Sequence, residues 1–143
     1  MADPEVAVQG AIAAAAIPGL TQATVSVAPF DGNLIVGPLV KTADGAPVDP
    51  CVFVQSTGGP FCLRFLGMTL EHKGETVQIV TRSAPKDFSG GMALARAVFN
   101  AIDYAALTGY YLCECREAGP VHLGVDEENR HLFSFNINLR RAA

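Results

Sequence analysis

Phe133-Ser134-Phe135-Asn136-Ile137-Asn138-Leu139-Arg140 alternates strictly between apolar and polar residues. Phe133, Phe135, Ile137 and Leu139 fall on one side of an extended chain. Ser134, Asn136, Asn138 and Arg140 fall on the other. Successive side chains of a strand point to opposite faces, so this period of two marks a strand with one face on a core and one face wet. A polar turn precedes it, Gly124-Val125-Asp126-Glu127-Glu128-Asn129-Arg130-His131. The closing stretch is therefore expected to be an integral strand. Its Phe and Ile side should pack beneath a helix, and its Ser and Asn side should meet solvent or a neighbouring subunit.

That helix lies upstream, where the period changes. Leu94, Val98, Ile102 and Ala106 recur every fourth residue, and Ala95 and Phe99 widen the stripe. Arg96, Asn100 and Asp103 sit off it. Asp87 or Ser89 is placed to cap a helix from about Gly90 to Ala106, after a turn at Ser83-Ala84-Pro85-Lys86-Asp87-Phe88. A second helix opens at Asp3-Pro4-Glu5, with Asp as N-cap, Pro at the first helical position and Glu near the positive end of the dipole. Pro18-Gly19 stops it near Ile17.

Between the helices the chain reads as short strands. Thr24 to Ala28 alternates. Leu34 to Val40 is broken by Gly37-Pro38 and reads as an edge or a bend. Thr42 to Pro50 is a loop of turn formers. Cys51 to Gln55 is a compact strand ended by Ser56-Thr57-Gly58-Gly59-Pro60, and Phe61 to Phe65 reads as another. Leu66 to Gly74 has no clear pattern, and Thr76 to Arg82 is a strong strand. Tyr110 to Arg116 is a strand, and Glu117-Ala118-Gly119-Pro120 a turn. Two helices serving five or six strands imply an α+β domain, with a mostly antiparallel sheet and both helices on one face. No linker or repeat divides the chain.

The chain has 143 residues, enough for one domain with a sizeable core; half are hydrophobic and only 17% charged, which excludes a disordered chain. A net charge of −4 with a pI near 5.2 disfavours a protein that tracks a phosphate backbone. Asp3 and Glu5 stand where a secretory leader carries positive charge, and Val6 to Ile17 is too short to span a bilayer, so a soluble intracellular protein is expected. Cys51, Cys62, Cys113 and Cys115 are then reduced thiols. Cys113-Glu114-Cys115 puts two thiols on one strand face, without the spacing of a zinc site.

Gly58-Gly59-Pro60 and Gly90-Gly91 lack the lysine of a phosphate-binding loop, and no nucleophile elbow occurs. His72, between Glu71 and Lys73, reads as a solvent-facing turn. His122 and His131 bracket Asp126, Glu127 and Glu128. Such a group can do acid–base work or hold a metal, but the preferred reading is an ordinary exposed charged turn, since surface charges need no special explanation. Arg116 and Arg130 flank the same turn, where both can approach Asp126 or Glu127, shaping the turn or reaching a neighbour.

From Thr76 to Arg82, through Ser83-Ala84-Pro85 and the Phe88-to-Ala106 helix, to Arg116-Glu117-Ala118-Gly119-Pro120-Val121-His122-Leu123-Gly124-Val125-Asp126-Glu127-Glu128-Asn129-Arg130 and the final strand, the chain resembles the tail terminator (minor capsid, tail-completion) proteins of long-tailed bacteriophages and gene transfer agents. The shared elements are a strand ending in Arg, a helix, a Pro-containing turn, a Gly-x-Asp-Glu-x-x-Arg segment and a closing alternating strand. The first helix and the strand with its Gly-Gly turn also fit, although Pro18-Gly19 keeps that helix short. The resemblance implies a structural virion protein at the head-proximal end of the tail, assembled in the host cytoplasm. Its subunits would form a hexameric ring that caps the tail tube, stops its growth and joins the head-side connector or stopper. DNA would pass through without specific binding. No enzyme activity, cofactor, metal or membrane is implied. The expected interface residues are Arg82, Arg116, Asp126, Glu127, Arg130, Asn136 and Asn138. Two other functions compete: a stopper or tube subunit, for which only the modest Thr42-to-Pro50 loop offers an arm, and a small ligand-binding or hydrolytic domain using His122, Asp126 and His131.

Overall fold

The alternating stretch is the middle of a longer strand, and its apolar side goes where the period sends it: Phe133, Phe135, Ile137 and Leu139 are all buried. The computed structural model describes residues 3–25, 30–38, 49–58, 63–64 and 71–142. In chain order these form α1 (Pro4–Ala14), β1 (Leu34–Val36), β2 (Cys51–Ser56), β3 (Leu63–Arg64), β4 (Glu71–Pro85), α2 (Phe88–Ile102), β5 (Leu112–Cys115), β6 (Val121–Val125) and β7 (Arg130–Ala142).

All seven strands belong to one sheet. Its path is β1-β2-β4-β7-β5; β3 pairs with the start of β4, and β6 with the start of β7. Among the described strands only the β1–β2 pairing is parallel. The long β4–β7 pair is the spine. It sets Val77 beside Ile137 and Ile79 beside Phe135, so apolar residues of both strands share one face. Both helices cover that face. Val8 and Ile12 of α1 and Val98, Phe99 and Ile102 of α2 join Val52, Val54, Val77, Ile79, Phe135 and Ile137 in one buried cluster. The fold is α+β with a mostly antiparallel sheet, as the pattern of elements implied.

The stripe on α2 holds as far as Ile102, while Ala106 is exposed beyond the helix end. Ala95, Val98, Phe99 and Ile102 are buried, Leu94 lies at the margin, and Phe99 meets Phe135 edge to face at 5.1 Å. Gly91 is buried because nothing larger fits: a Cβ there would lie 2.6 Å from Ser83 Cβ and 2.8 Å from Phe133. Asp87 is the cap, its Oδ1 accepting from the Gly90 amide at 2.9 Å. The helix ends at Ile102, not Ala106. Asp103 turns extended, and its carboxylate accepts the Cys115 amide at 3.0 Å.

Other boundaries differ from expectation. The first helix ends at Ala14, and Ala16 already has φ 53°, so the chain leaves the helix before Pro18-Gly19. Thr24 and Val25 are not strand; residue 22 makes a lone bridge to Leu34, and 26–28 lie outside the described residues. Residues 39–48 of the Leu34-to-Val40 and Thr42-to-Pro50 segments, 59–62 with Cys62, and 65–70 lie outside them too, so that of the expected Phe61-to-Phe65 strand only Leu63–Arg64 is described, as β3. β4 begins at Glu71, which places His72 in a strand rather than a turn, and it runs past Arg82 through a bulge to Pro85. Among the described residues no helix is long and apolar enough to cross a membrane.

Candidate functional site

The turn between β6 and β7 builds itself from Asp126. Its backbone closes the hairpin with Arg130 at 3.0 Å and accepts the Asn129 amide at 3.1 Å; Asn129 takes the left-handed φ of 60° that Asn tolerates. The Asp126 Oδ1 accepts the amides of Glu128 (2.9 Å) and Arg130 (3.0 Å), and Oδ2 accepts Arg130 Nε at 2.8 Å. Partial burial alone would raise this carboxyl's pKa. The two amides and the guanidinium outweigh it and hold the group below the ordinary carboxylate value.

Arg130 is itself buried, and its Nη1 reaches Asp49 Oδ2 at 3.1 Å, with Glu128 at 3.5 Å. The other oxygen of Asp49 accepts Arg82 Nε at 2.7 Å. Arg82 has no exposed surface at all, and its guanidinium lies 6.0 Å from the Phe53 ring centre. The result is a chain of charges, Arg82–Asp49–Arg130–Asp126, that ties the segment before β2 to β4 and to the β6–β7 turn. It sits on the sheet face away from the helices, since Arg82 pairs with Leu132 and Cys51. Beside it Ala23, Ile35, Cys51 and Phe53 form a second small core. Burial, outweighing the nearby guanidinium of Arg82, pushes the Cys51 thiol up to about 12, so it stays protonated.

The seven expected contact residues are thus tied up within the subunit or stand apart. Arg82 and Arg130 are internal cations rather than a surface offered to a neighbour, a correction that follows from their burial. Arg116 is exposed at the end of β5, and no ion pair among the described residues includes it. Asp126 serves Arg130, while Glu127 stands exposed at the turn. Asn136 is taken by its own chain: its amide and its Nδ2 donate to the Glu117 carboxylate at 2.8 and 2.9 Å. Residues 116–120 loop out between β5 and β6, which lie end to end along β7, and Glu117 supplies the acceptor the ladder lacks there. Asn138 accepts from Thr76 Oγ1 at 3.4 Å.

Strand β6 is a feature the sequence reading missed, having counted 124–131 as turn. Val121, Leu123 and Val125 are each about half exposed. Open strand edges invite pairing with another chain, and proteins usually cover them. Here β1 is covered: Ala23 N donates to Leu34 O, Leu34 N to Thr21 O, and the buried Gln9 Nε2 donates to both Ala23 O and Leu34 O. The β5 edge is covered by Tyr104 N on Cys113 O and by Asp103 on Cys115 N. Among the described residues no backbone hydrogen bond covers the outer side of β6.

His122 and His131 do come together, but not with Asp126. Their rings lie on the helix side of the sheet, against Phe88 and Phe133, whereas Arg130 and its carboxylates lie on the other. The acid–base triplet is therefore not assembled. A cavity of about 310 Å³ between α2 and the 116–120 loop is lined by Met92, Arg96, Phe99, Asn100 and Pro120, with no nucleophile. The chain matches no family model, and no curated protein is similar to it in sequence.

Proposed function

We propose that this chain is a structural assembly subunit of the tail-terminator type, closing with copies of itself into a ring that caps a tail tube and meets the head-side connector. The observation that carries the reading is the β6 edge, which no backbone hydrogen bond among the described residues covers, with Val121, Leu123 and Val125 exposed, in a sheet whose β1 and β5 edges the chain closes itself. A head-to-tail contact through such an edge makes a ring when the rotation closes. The internal charge chain supports the same role, because it holds the hairpin that carries β6 in a fixed place. The resemblance from Thr76 onward supplies the particle: a ring of six at the head-proximal end of a virion tail, with DNA passing through. The net charge of −4 favours unhindered passage, since like charge repels the phosphates.

The test is the mass of the full chain by light scattering after size exclusion, over a wide concentration range and with tube subunits added. Ring-sized species, lost in a Leu123→Glu variant that stays folded, are expected. A tight two-fold dimer, unchanged by Leu123→Glu, contradicts the reading.

A further inference from the structure

The two histidines that the hairpin brings together have no part in the assembly reading. His122 Nε2 and His131 Nδ1 are 3.1 Å apart, with ring centres 5.2 Å apart. They are diagonal neighbours on adjacent strands, since His122 pairs with Phe133 and His131 with Val125. Phe88 stands edge-on to both rings at 5.2 and 5.3 Å, and Phe133 lies 5.2 Å from His122, so the imidazoles are held in place by packing. His122 is exposed, which gives an ion a path in.

We infer that His122 and His131 form a two-imidazole site for a borderline divalent transition ion such as Zn²⁺, Ni²⁺ or Cu²⁺. Two nitrogens each about 2.0–2.1 Å from a tetrahedral metal lie about 3.4 Å apart. The observed spacing is within a few tenths of an ångström of that, so small ring rotations suffice. In the metal-free pair one nitrogen carries the hydrogen and the other accepts it. Binding moves that hydrogen, by way of solvent, to the far nitrogen of its own ring, and both lone pairs then face the ion; if a ring is protonated, one proton is released. Among the described residues no group of three or more His, Cys, Asp or Glu side chains converges on one point, so water fills the remaining positions. Two neutral nitrogens suit imidazole-preferring ions and not Mg²⁺ or Ca²⁺, which take oxygen ligands. The bound ion would staple the edge strand β6 to β7.

The experiment is calorimetric titration of the full chain with ZnCl₂, NiCl₂ and MgCl₂ near neutral pH. One Zn²⁺ or Ni²⁺ per chain at micromolar affinity and no response to Mg²⁺ are expected. His122→Asn and His131→Asn should each weaken binding at least about tenfold, the loss typical when even a supporting partner of a metal ligand is removed. Since His122 is exposed, its variant should melt like the wild type without metal. Substoichiometric Cu²⁺ should broaden the ring signals of His122 and His131 before those of His72. Binding that survives both substitutions, binding lost with only one of them, or no saturation below about millimolar ion overturns the inference.

Discussion

Replacing Asp49 with alanine tests whether the charge chain ties the segment before β2 to β4 and to the β6–β7 turn. Asp49 bridges two buried guanidiniums, Arg82 at 2.7 Å and Arg130 at 3.1 Å. A hydrogen bond to a charged group contributes about 1.5–3 kcal/mol, and removing one partner of a buried pair costs about 3–5 kcal/mol. The cost stays toward the lower end for two reasons. The Asp49 side chain is 16% accessible, and Arg130 keeps Asp126 at 2.8 Å. A loss of about 3–4 kcal/mol is therefore expected, which lowers the Tm by about 10 °C in a chain of this size. Urea denaturation followed by circular dichroism measures it. Adding Arg82→Met should return at least about 1 kcal/mol, because a buried cation that has lost the Asp49 carboxylate becomes an apolar side chain beside Phe53. A cost under about 1 kcal/mol, the size of a surface pair, would refute the reasoning. So would a double variant no more stable than Asp49→Ala alone.

Other perturbations separate core, conformation, titration and edge. Phe135→Ala removes the ring that meets Phe99 and should cost about 3–5 kcal/mol in the same urea assay. Gly91→Ala should lose about 1–3 kcal/mol, because its Cβ would strike Ser83 and Phe133, whereas Gly10→Ala, with open space in the middle of α1, should gain about 0.5–1 kcal/mol. Asp126 has a depressed folded pKa, so its stabilisation is full above the unfolded value of 3.8 and fades as acid takes the pH below it. Melting from pH 7 down to 2 should show this loss, and Asp126→Asn should flatten it. Leu123→Glu should leave stability within about 0.5 kcal/mol, since the residue is exposed, while abolishing ring-sized species.

Much of this fold is written in local periods. The alternation at 133–139 and the four-residue stripe on α2 each report one face buried against the same core, and each predicts the burial found. What escaped were features whose cause is remote. Asp49 reads as one more turn former, yet its partners lie 33 and 81 residues away. Arg82 and Arg130 read as surface charges because the carboxylate that joins them is distant in the sequence. β6 was passed over although Val121-His122-Leu123-Gly124-Val125 alternates, because Gly124 reads as the opening of the polar turn. In the structure Gly124, with φ 124°, is a strand residue next to a register shift, so the turn starts later than its composition suggests. The His122–His131 contact depends on that shifted register, so spacing along the chain could not give it. The early end of α2 came from Asp103 serving the Cys115 amide, a tertiary demand that overrides helix propensity.

Electron microscopy of tail-tube subunits polymerising with and without this protein tests the assembly account most directly. The account predicts short tubes of arrested length, each ending in a ring of this chain, and unarrested tubes with Leu123→Glu. Tubes that grow to the same lengths in its presence, with bare ends, would contradict it.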